Sequence, residues 1–472
     1  MKNKIITLFM VFLLSSCAHK EESKKSVGKN TVIPAHKIYK TKNGIELYHF
    51  PYEATPLFTL MVALPVGGIT DPKGKSGLTN FMTDLMRTGV EGYDEAAFSV
   101  RLDDLAASLN SAVTERWTIF TASGLNRESS SIYDLFFKMI LEPTFPIDKF
   151  SRMKNNLLEG FDHVVDSPSS VAFRAVARIQ YNGSKSARNF SGLLKDVSTL
   201  TIHDVKERYE EMLTSEGAKV ALIGGTEANG MVQNLIGFLE KIPVAPKISE
   251  NRIHKWDYKE LNFPENNIVL IDKPGLRQSD VVFSYKGPSR KVPEYETLRA
   301  IENYLFESQN SLFQRVIREE KGLSYSISGG FRFEDELGLF HIHTATSVEK
   351  TAEVVLEIEK TYKGFLEQKG LSDPEIARLQ NMLKGSFPFM LDNHYVLVQS
   401  YFGLLLGDVR KNFYDTYVDN ISHINGALVR NVIEKYMHKN FRIVVVGDAK
   451  KIIPQLKKVG KKYTKVRPQQ FL

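Results

Sequence analysis

The sequence predicts an α+β protein made of two homologous domains, each a mostly antiparallel sheet covered by helices. Three observations carry this. A strand-like run ending in proline occurs twice, as Ile45-Glu46-Leu47-Tyr48-His49-Phe50-Pro51 and as Ile268-Val269-Leu270-Ile271-Asp272-Lys273-Pro274, 223 residues apart. A buried-type strand closed by glycine recurs at the same offset, Val220-Ala221-Leu222-Ile223-Gly224 and Ile443-Val444-Val445-Val446-Gly447. Within each copy the order is strands, helices, strands, helices, then a last strand and helix. Asn80 and Asn303 share the 223 offset. A unit of about 220 residues is far too long for a solenoid repeat. A chain of 472 residues suits two domains, of roughly 200 residues each.

In the first copy, 57–64 and 117–123 read as strands, and 77–87, 95–109, 147–165 and 202–213 as helices. Thr201 with Asp204 reads as a capping box opening the last of these. In the second copy, Ser372 with Glu375 does the same for the helix through Leu383. A helix over 311–320 turns at Gly322 into a strand starting at Leu323. Prolines and charges without periodicity over 241–259 mark the boundary. The expected division is a signal peptide over 1–16, a tether over 17–35, a first domain over 36–245, a linker over 246–258 and a second domain over 259–472.

Hydrophobic residues make up 42% and charged residues 25%, the balance of a globular chain. Past the N-terminus no run approaches the roughly 20 apolar residues of a membrane span. At the N-terminus, Lys2 and Lys4 precede an apolar run over 5–14 and then Leu14-Ser15-Ser16-Cys17. This segment reads as a secretory signal. Its end resembles a bacterial lipobox, which makes the chain's single cysteine, Cys17, the lipidated first residue of the mature protein. Ala18 stands where inner-membrane lipoproteins commonly carry Asp, so the expected location is the periplasmic side of the envelope, with the outer membrane favoured. Loss of Lys2 and Lys4 lowers the net charge from +7 to about +5. No nucleic-acid motif accompanies that mild basicity. Its densest part is the stretch Lys457, Lys458, Lys461, Lys462, Lys465 and Arg467, a solvated face or a contact for anionic headgroups or a partner. His341 and His343 alternate on a strand and share one face, with no third ligand nearby.

One stretch carries a resemblance. VGGITDPKGKSGLTNFMTDLMRTG, over 66–89, is similar to the region around the active-site helix of insulinase/pitrilysin-type metallopeptidases. In that family the helix reads H-x-x-E-H, with two His on zinc and the Glu as base for the metal-bound water. Here the first His falls on Asn80, the Glu on Thr83 and the second His on Asp84. The third ligand falls on Gly160, both by counting and by the D-x-P marker Asp166-Ser167-Pro168. These four degenerate positions remove ligands and base together. The resemblance therefore implies that this chain carries no catalytic residue and binds no zinc of its own.

The second copy keeps its motif. Ser311-Leu312-Phe313-Gln314-Arg315-Val316-Ile317-Arg318-Glu319-Glu320-Lys321-Gly322-Leu323-Ser324-Tyr325-Ser326 closely resembles the family's LFQ-x-x-RE-x-x-GL-x-Y element. By that resemblance Arg318 and Tyr325 bind substrate carbonyl groups opposite the zinc, and the Tyr helps stabilise the developing oxyanion. The family's preceding Gly-Gly is replaced by Glu307-Ser308-Gln309-Asn310.

In some relatives one chain holds the zinc site and a second holds the Arg/Tyr pair, and the two halves close like a clamshell on an extended peptide. The resemblance thus implies a non-catalytic subunit whose zinc sits in a homologous HxxEH-bearing partner and whose substrate is an extended peptide or unfolded protein. Two alternatives stand beside it. One is a peptide-binding or scaffold lipoprotein without a proteolytic partner. The other is an active peptidase with a metal site rebuilt from Asp84, Glu159, Asp162 and His163. A neighbouring gene for an HxxEH homologue favours the first reading, its absence the second, and stoichiometric zinc in the purified chain the third.

Overall fold

The computed structural model describes residues 35–184, 192–225, 230–245, 261–265, 267–308, 310–334, 337–368, 370–390, 394–407 and 409–471. The expected signal peptide, Cys17, the tether up to residue 34 and the linker 246–258 lie outside them.

The first half begins with strands β1 (Lys37–Lys40), β2 (Glu46–Phe50) and β3 (Leu57–Leu64). Helix α1 (Leu78–Met86), a ribbon of β4 (Gly89–Val90) and β5 (Tyr93–Asp94), and α2 (Glu95–Asp104) follow. Then come β6 (Ser108–Val113), β7 (Thr118–Leu125), α3 (Ser129–Leu141), α4 (Ile147–Asp166), α5 (Pro168–Gln180), α6 (Leu194–Ser198) and α7 (Ile202–Met212). Strand β8 (Lys219–Ile223) and α8 (Met231–Leu239) close the half.

The second half runs β9 (Ile268–Asp272), β10 (Gln278–Gly287) and α9 (Tyr295–Glu302), with wider π-helical turns over Asn303–Glu307 and Gln314–Glu320. Strands β11 (Ile327–Arg332) and β12 (Gly338–Ser347) lead to five helices: α10 (Thr351–Gln368), α11 (Asp373–Ser386), α12 (His394–Leu405), α13 (Phe413–Ser422) and α14 (Gly426–Tyr436). Strand β13 (Arg442–Gly447), α15 (Ala449–Lys458) and β14 (Tyr463–Val466) complete it. Both capping boxes form, on α7 and on α11. No helix among the described residues is long and apolar enough to cross a membrane.

The two sheets have matching orders, β6-β7-β3-β8-β2-β1 and β11-β12-β10-β13-β9-β14. Pairing is antiparallel except where β8 meets β2 and where β13 and β14 meet β9. The ladders refine the repeat. Val220 pairs with Leu47, and Ile443 pairs with Ile268. The last strands are therefore 223 residues apart but the first ones 221, so the proline-based match over 45–51 and 268–274 is two residues out. A slip of two leaves every side chain on its own face, which is why the hydrophobic pattern does not reveal it.

Both faces of each central strand are buried, which explains their continuous apolar runs. Along β3, Phe58, Leu60, Val62 and Leu64 face the helices of their own half, while Met61 and Ala63 face α12 of the other. Val398 and Phe402 of α12 are buried there. Reciprocally, Val171, Ala175 and Ile179 of α5 pack on Val282, Val444 and Val446 of the second sheet. Gln180 donates from Nε2 to the backbone oxygen and hydroxyl of Ser284, both at 2.9 Å. Each half thus lends one helix to the other. Full burial of an aliphatic or aromatic side chain is worth about 1.5–3 kcal/mol, so these crossed helices bind the halves into one body.

Two expectations need correction. The helix expected over 95–109 ends at Asp104, and Ser108–Val113 is the edge strand β6. Ala106 adopts a left-handed backbone, φ 48°, which breaks the helix and lets the chain reverse. The strand expected from Leu323 begins at Ile327. Side-chain bonds hold the intervening residues instead: Thr346 Oγ1 donates to the Leu323 oxygen (2.6 Å), and Thr344 Oγ1 to the Ser326 oxygen (2.8 Å).

Candidate functional site

The best-formed candidate is the Arg318–Tyr325 element. Its helix is anchored by Phe313 and Ile317, both fully buried one turn apart. The Phe313 ring stacks on Phe306 at 5.0 Å. That anchoring turns Arg318 to solvent. The helix closes with the Lys321 amide donating to Val316 and the Leu323 amide to Ile317, and Gly322 takes the positive φ (58°) that the reversal needs. Ser324 Oγ then donates to the Ala345 oxygen of β12 at 2.7 Å. Tyr325, one residue on, projects outward and is 84% exposed.

Seven residues apart in sequence, the two side chains meet: the Arg318 guanidinium lies 5.0 Å from the Tyr325 ring centre. Such a contact is worth about 0.5–1 kcal/mol at an exposed site and holds both groups on one surface. Neither makes a hydrogen bond among the described residues. The five N–H donors of the guanidinium and the phenol O–H are therefore free for an incoming oxygen.

Behind the pair, β11 lies close against α9 and the Asn303–Glu307 turn. A Cβ on Gly330 (φ 144°) would come within 2.0 Å of Glu302 Oε1, and one on Gly329 within 2.7 Å of the Phe306 ring. Glu302 is 6% exposed. Its burial outweighs the Arg299 guanidinium 2.5 Å away, and Glu307 adds repulsion, so its carboxyl is pushed up to about 7. The folded state therefore holds this proton more tightly than the unfolded chain, whose carboxyl titrates near 4.5. The stabilisation is fully present below pH 4.5 and is lost as pH rises through about 7. Glu302→Gln is expected to flatten that segment of the stability curve, by up to about 3 kcal/mol. Urea unfolding at pH 5 and pH 8 checks this; an unchanged slope in the variant refutes the assignment.

The four degenerate positions do not assemble a metal site. Thr83 is buried and its hydroxyl donates to the Thr79 oxygen at 2.7 Å. The half-buried Asn80 donates to Asp84 at 3.4 Å along the same helix. The Asp84 carboxylate reaches solvent, yet surrounding protein crowds it enough to push its proton affinity up, against the pull of Arg87. Gly160 of α4 has open space where a side chain would stand. Glu159, Asp162 and His163 are exposed. No three His, Cys, Asp or Glu gather closely enough to hold a metal among the described residues. The residues present do not fit a catalytic zinc.

His341 and His343 do share one face of β12, and what faces them is Phe173 of α5, edge-on to both at 5.6 and 5.0 Å. His343 Nε2 lies 2.9 Å from Asp280 Oδ1. Burial, then the nearby His343 and Arg332, push His341 down to about 4. The pair therefore belongs to the junction between the halves.

Sequence reasoning missed the scaffold under α1. The Asp71 carboxylate accepts from the Gly77 and Thr79 amides at 2.9 and 3.0 Å, capping the helix from six and eight residues upstream. Arg208 of α7 has no exposed side-chain surface. It donates to Thr79 Oγ1, Thr70 Oγ1 and the Gly67 oxygen and pairs with Asp71 and Glu211. On α7 it reads as one more surface charge, and no local signal marks it as buried.

Known proteins resemble the chain along most of its length. The model of "Insulinase (Peptidase family M16)" matches residues 52–192, and that of "Peptidase M16 inactive domain" matches residues 199–383. A protein of Bacillus subtilis named an uncharacterized zinc protease is 17% identical over 417 residues, covering 88% of this chain and 98% of its own. The mitochondrial-processing peptidase subunit beta of Saccharomyces cerevisiae is 18% identical over 386 residues, with 78% and 81% covered. Among solved structures, a peptidase M16 inactive domain from Pseudomonas fluorescens superposes with a TM-score of 0.76 at 18% identity, covering 88% of this chain and 98% of that one. The periplasmic protease PqqL from Escherichia coli gives 0.73 at 13% identity, covering 94% and 49%.

Proposed function

The chain belongs to the insulinase (M16) family of peptidases, and from that premise we propose that it is the non-catalytic subunit of a two-chain zinc peptidase. A homologous HxxEH-bearing chain supplies zinc and base. This chain supplies Arg318 and Tyr325, which donate hydrogen bonds to substrate carbonyl oxygens and to the oxyanion as charge develops there. The observation that carries the reading is the contrast between the halves: an exposed, unspent Arg318–Tyr325 pair and a zinc helix without ligands.

An extended peptide suits the open edges of the sheets. Strands β6 and β11 each end a sheet, and β11 begins two residues after Tyr325. A strand added there would satisfy its main-chain groups while its carbonyls lie beside the pair. Lipidation at Cys17 and an envelope location are part of the proposal. Their support is the apolar run over 5–14 and the single cysteine that follows it.

Affinity purification of this chain from its native membrane extract is the test. An HxxEH homologue is expected to co-purify, and the mixture to cleave unfolded polypeptide in a chelator-sensitive way that neither chain shows alone. Peptide binding without such a partner or cleavage would support the peptide-binding lipoprotein instead.

A further inference from the structure

The sequence marks a basic C-terminal stretch, and the structure shows how its charges are arranged. From Ala449 onward the chain contains eight Lys or Arg and no Asp or Glu. Helix α15 buries Ile452 and Leu456 against the second core. At helical spacing its opposite face holds Lys450, Lys451, Pro454, Lys457 and Lys458, and all five are exposed. That face contains no acid, amide or aromatic group.

Some of the charge is neutralised within the fold. Lys451 pairs with Glu349 (3.2 Å), Lys461 with Glu359 (2.5 Å) and Lys465 with Asp272 (2.7 Å). Lys457, Lys458, Lys462 and Arg467 form no ion pair among the described residues, and Lys450 has only the N-cap carboxylate of Asp448 near it. Helix-dipole stabilisation accounts for Lys457 and Lys458 in the last turn. It does not account for Lys450 and Lys451, which crowd the first turn, where a cation is disfavoured. The face is therefore more positive than the helix itself requires.

We propose that the lysine face of α15 docks on an anionic phospholipid surface. Interfaces with proteins are depleted in lysine and rely on aromatic and apolar anchors for register; this face offers none. Anionic headgroups need no register. Each Lys or Arg near such a surface adds an attraction that falls off within a Debye length. A basic patch is also the second signal that a single acyl chain needs for lasting attachment. If Cys17 is lipidated, the tether over 17–35 keeps the body within roughly 60 Å of the bilayer even when fully extended, so a weak attraction suffices to set its orientation. The docking itself stands on the lysine face and not on the peptidase reading.

The test uses the full chain carrying Cys17→Ser, so that lipidation does not mask the effect. Co-sedimentation is measured with phosphatidylcholine vesicles and with vesicles containing 30 mol% phosphatidylglycerol, taken as about a third anionic lipid. Lys450→Glu/Lys457→Glu/Lys458→Glu is compared with Lys73→Glu/Lys195→Glu/Lys206→Glu, which makes the same change in net charge at three other exposed lysines. The apolar run over 5–14 is common to all chains. The expected result is preference for the anionic vesicles, lost at high salt and weakened about 100-fold or more by the patch variant, with the control variant close to the parent. Equal binding to both vesicle types, or equal loss in both variants, overturns the proposal. So does a patch variant that keeps vesicle binding but loses a co-purifying protein, which would make the face a protein interface. None of these outcomes bears on whether an HxxEH partner restores cleavage.

Discussion

Arg318→Ala and Tyr325→Phe are each expected to lower kcat/KM of the assembled two-chain enzyme by about 10²–10³-fold, the usual effect of removing one fixed donor from a developing oxyanion. Stability should barely change. Tyr325 is 84% exposed, and its ring meets the Arg318 guanidinium only across 5.0 Å. That cation–π attraction is worth about 0.5–1 kcal/mol, a shift of about one degree or less in melting temperature for a chain of this length. The double variant should fall well short of the product of the two single effects, because the groups touch each other and hold the same substrate. Steady-state kinetics on an unfolded polypeptide, with calorimetry on the isolated chain, separates the two properties. Unchanged turnover in both single variants would falsify the proposed role of the pair.

The largest expected effect on stability lies elsewhere. Arg208→Leu removes a side chain with no exposed surface and leaves Asp71, 1% exposed, without its cation. Breaking one side of a buried ion pair costs about 3–5 kcal/mol, so the melting temperature of this 472-residue chain, unfolding as one body, should fall by about 3–5 °C. Arg208→Lys should rescue little. One ammonium cannot reach Thr79, Thr70, the Gly67 oxygen and Glu211 together, as the planar guanidinium does. Asp71→Asn/Arg208→Leu should cost less than the sum of its single changes. A loss below about 1 kcal/mol for Arg208→Leu, within the ordinary range of surface substitutions, would show that the network is not what seats α1.

Much of the fold is legible in the sequence because it rests on short-range signals. The apolar runs of β3, β8 and β13 announce strands buried on both faces. The capping boxes at Thr201/Asp204 and Ser372/Glu375 place two helix starts to the residue. The Arg318–Tyr325 string is legible in the same way, since anchor, turn and display occupy one contiguous segment. Strand β6 is not legible: only Leu109 of its six residues is buried, so its alternation is too weak to compete with the helical pattern before it. Its strand character comes from pairing with β7.

The sequence alone determined the duplication, the α+β class and the identity of the residues at the degenerate zinc positions, because composition and periodicity act within a few residues of one another. Only the tertiary structure decided which residues meet. It set the two-residue slip between the repeats, the exchange of α5 and α12 across the halves and the burial of Arg208 beneath α1. It also brought Arg318 onto Tyr325 and gathered the lysines of α15 on a face of their own. The slip, the exchanged helices and the buried Arg208 are long-range pairings, whose energies depend on partners tens or hundreds of residues away; the Arg318–Tyr325 contact and the lysine face are local in sequence, but which side of their elements the core occupies is not encoded in local pattern.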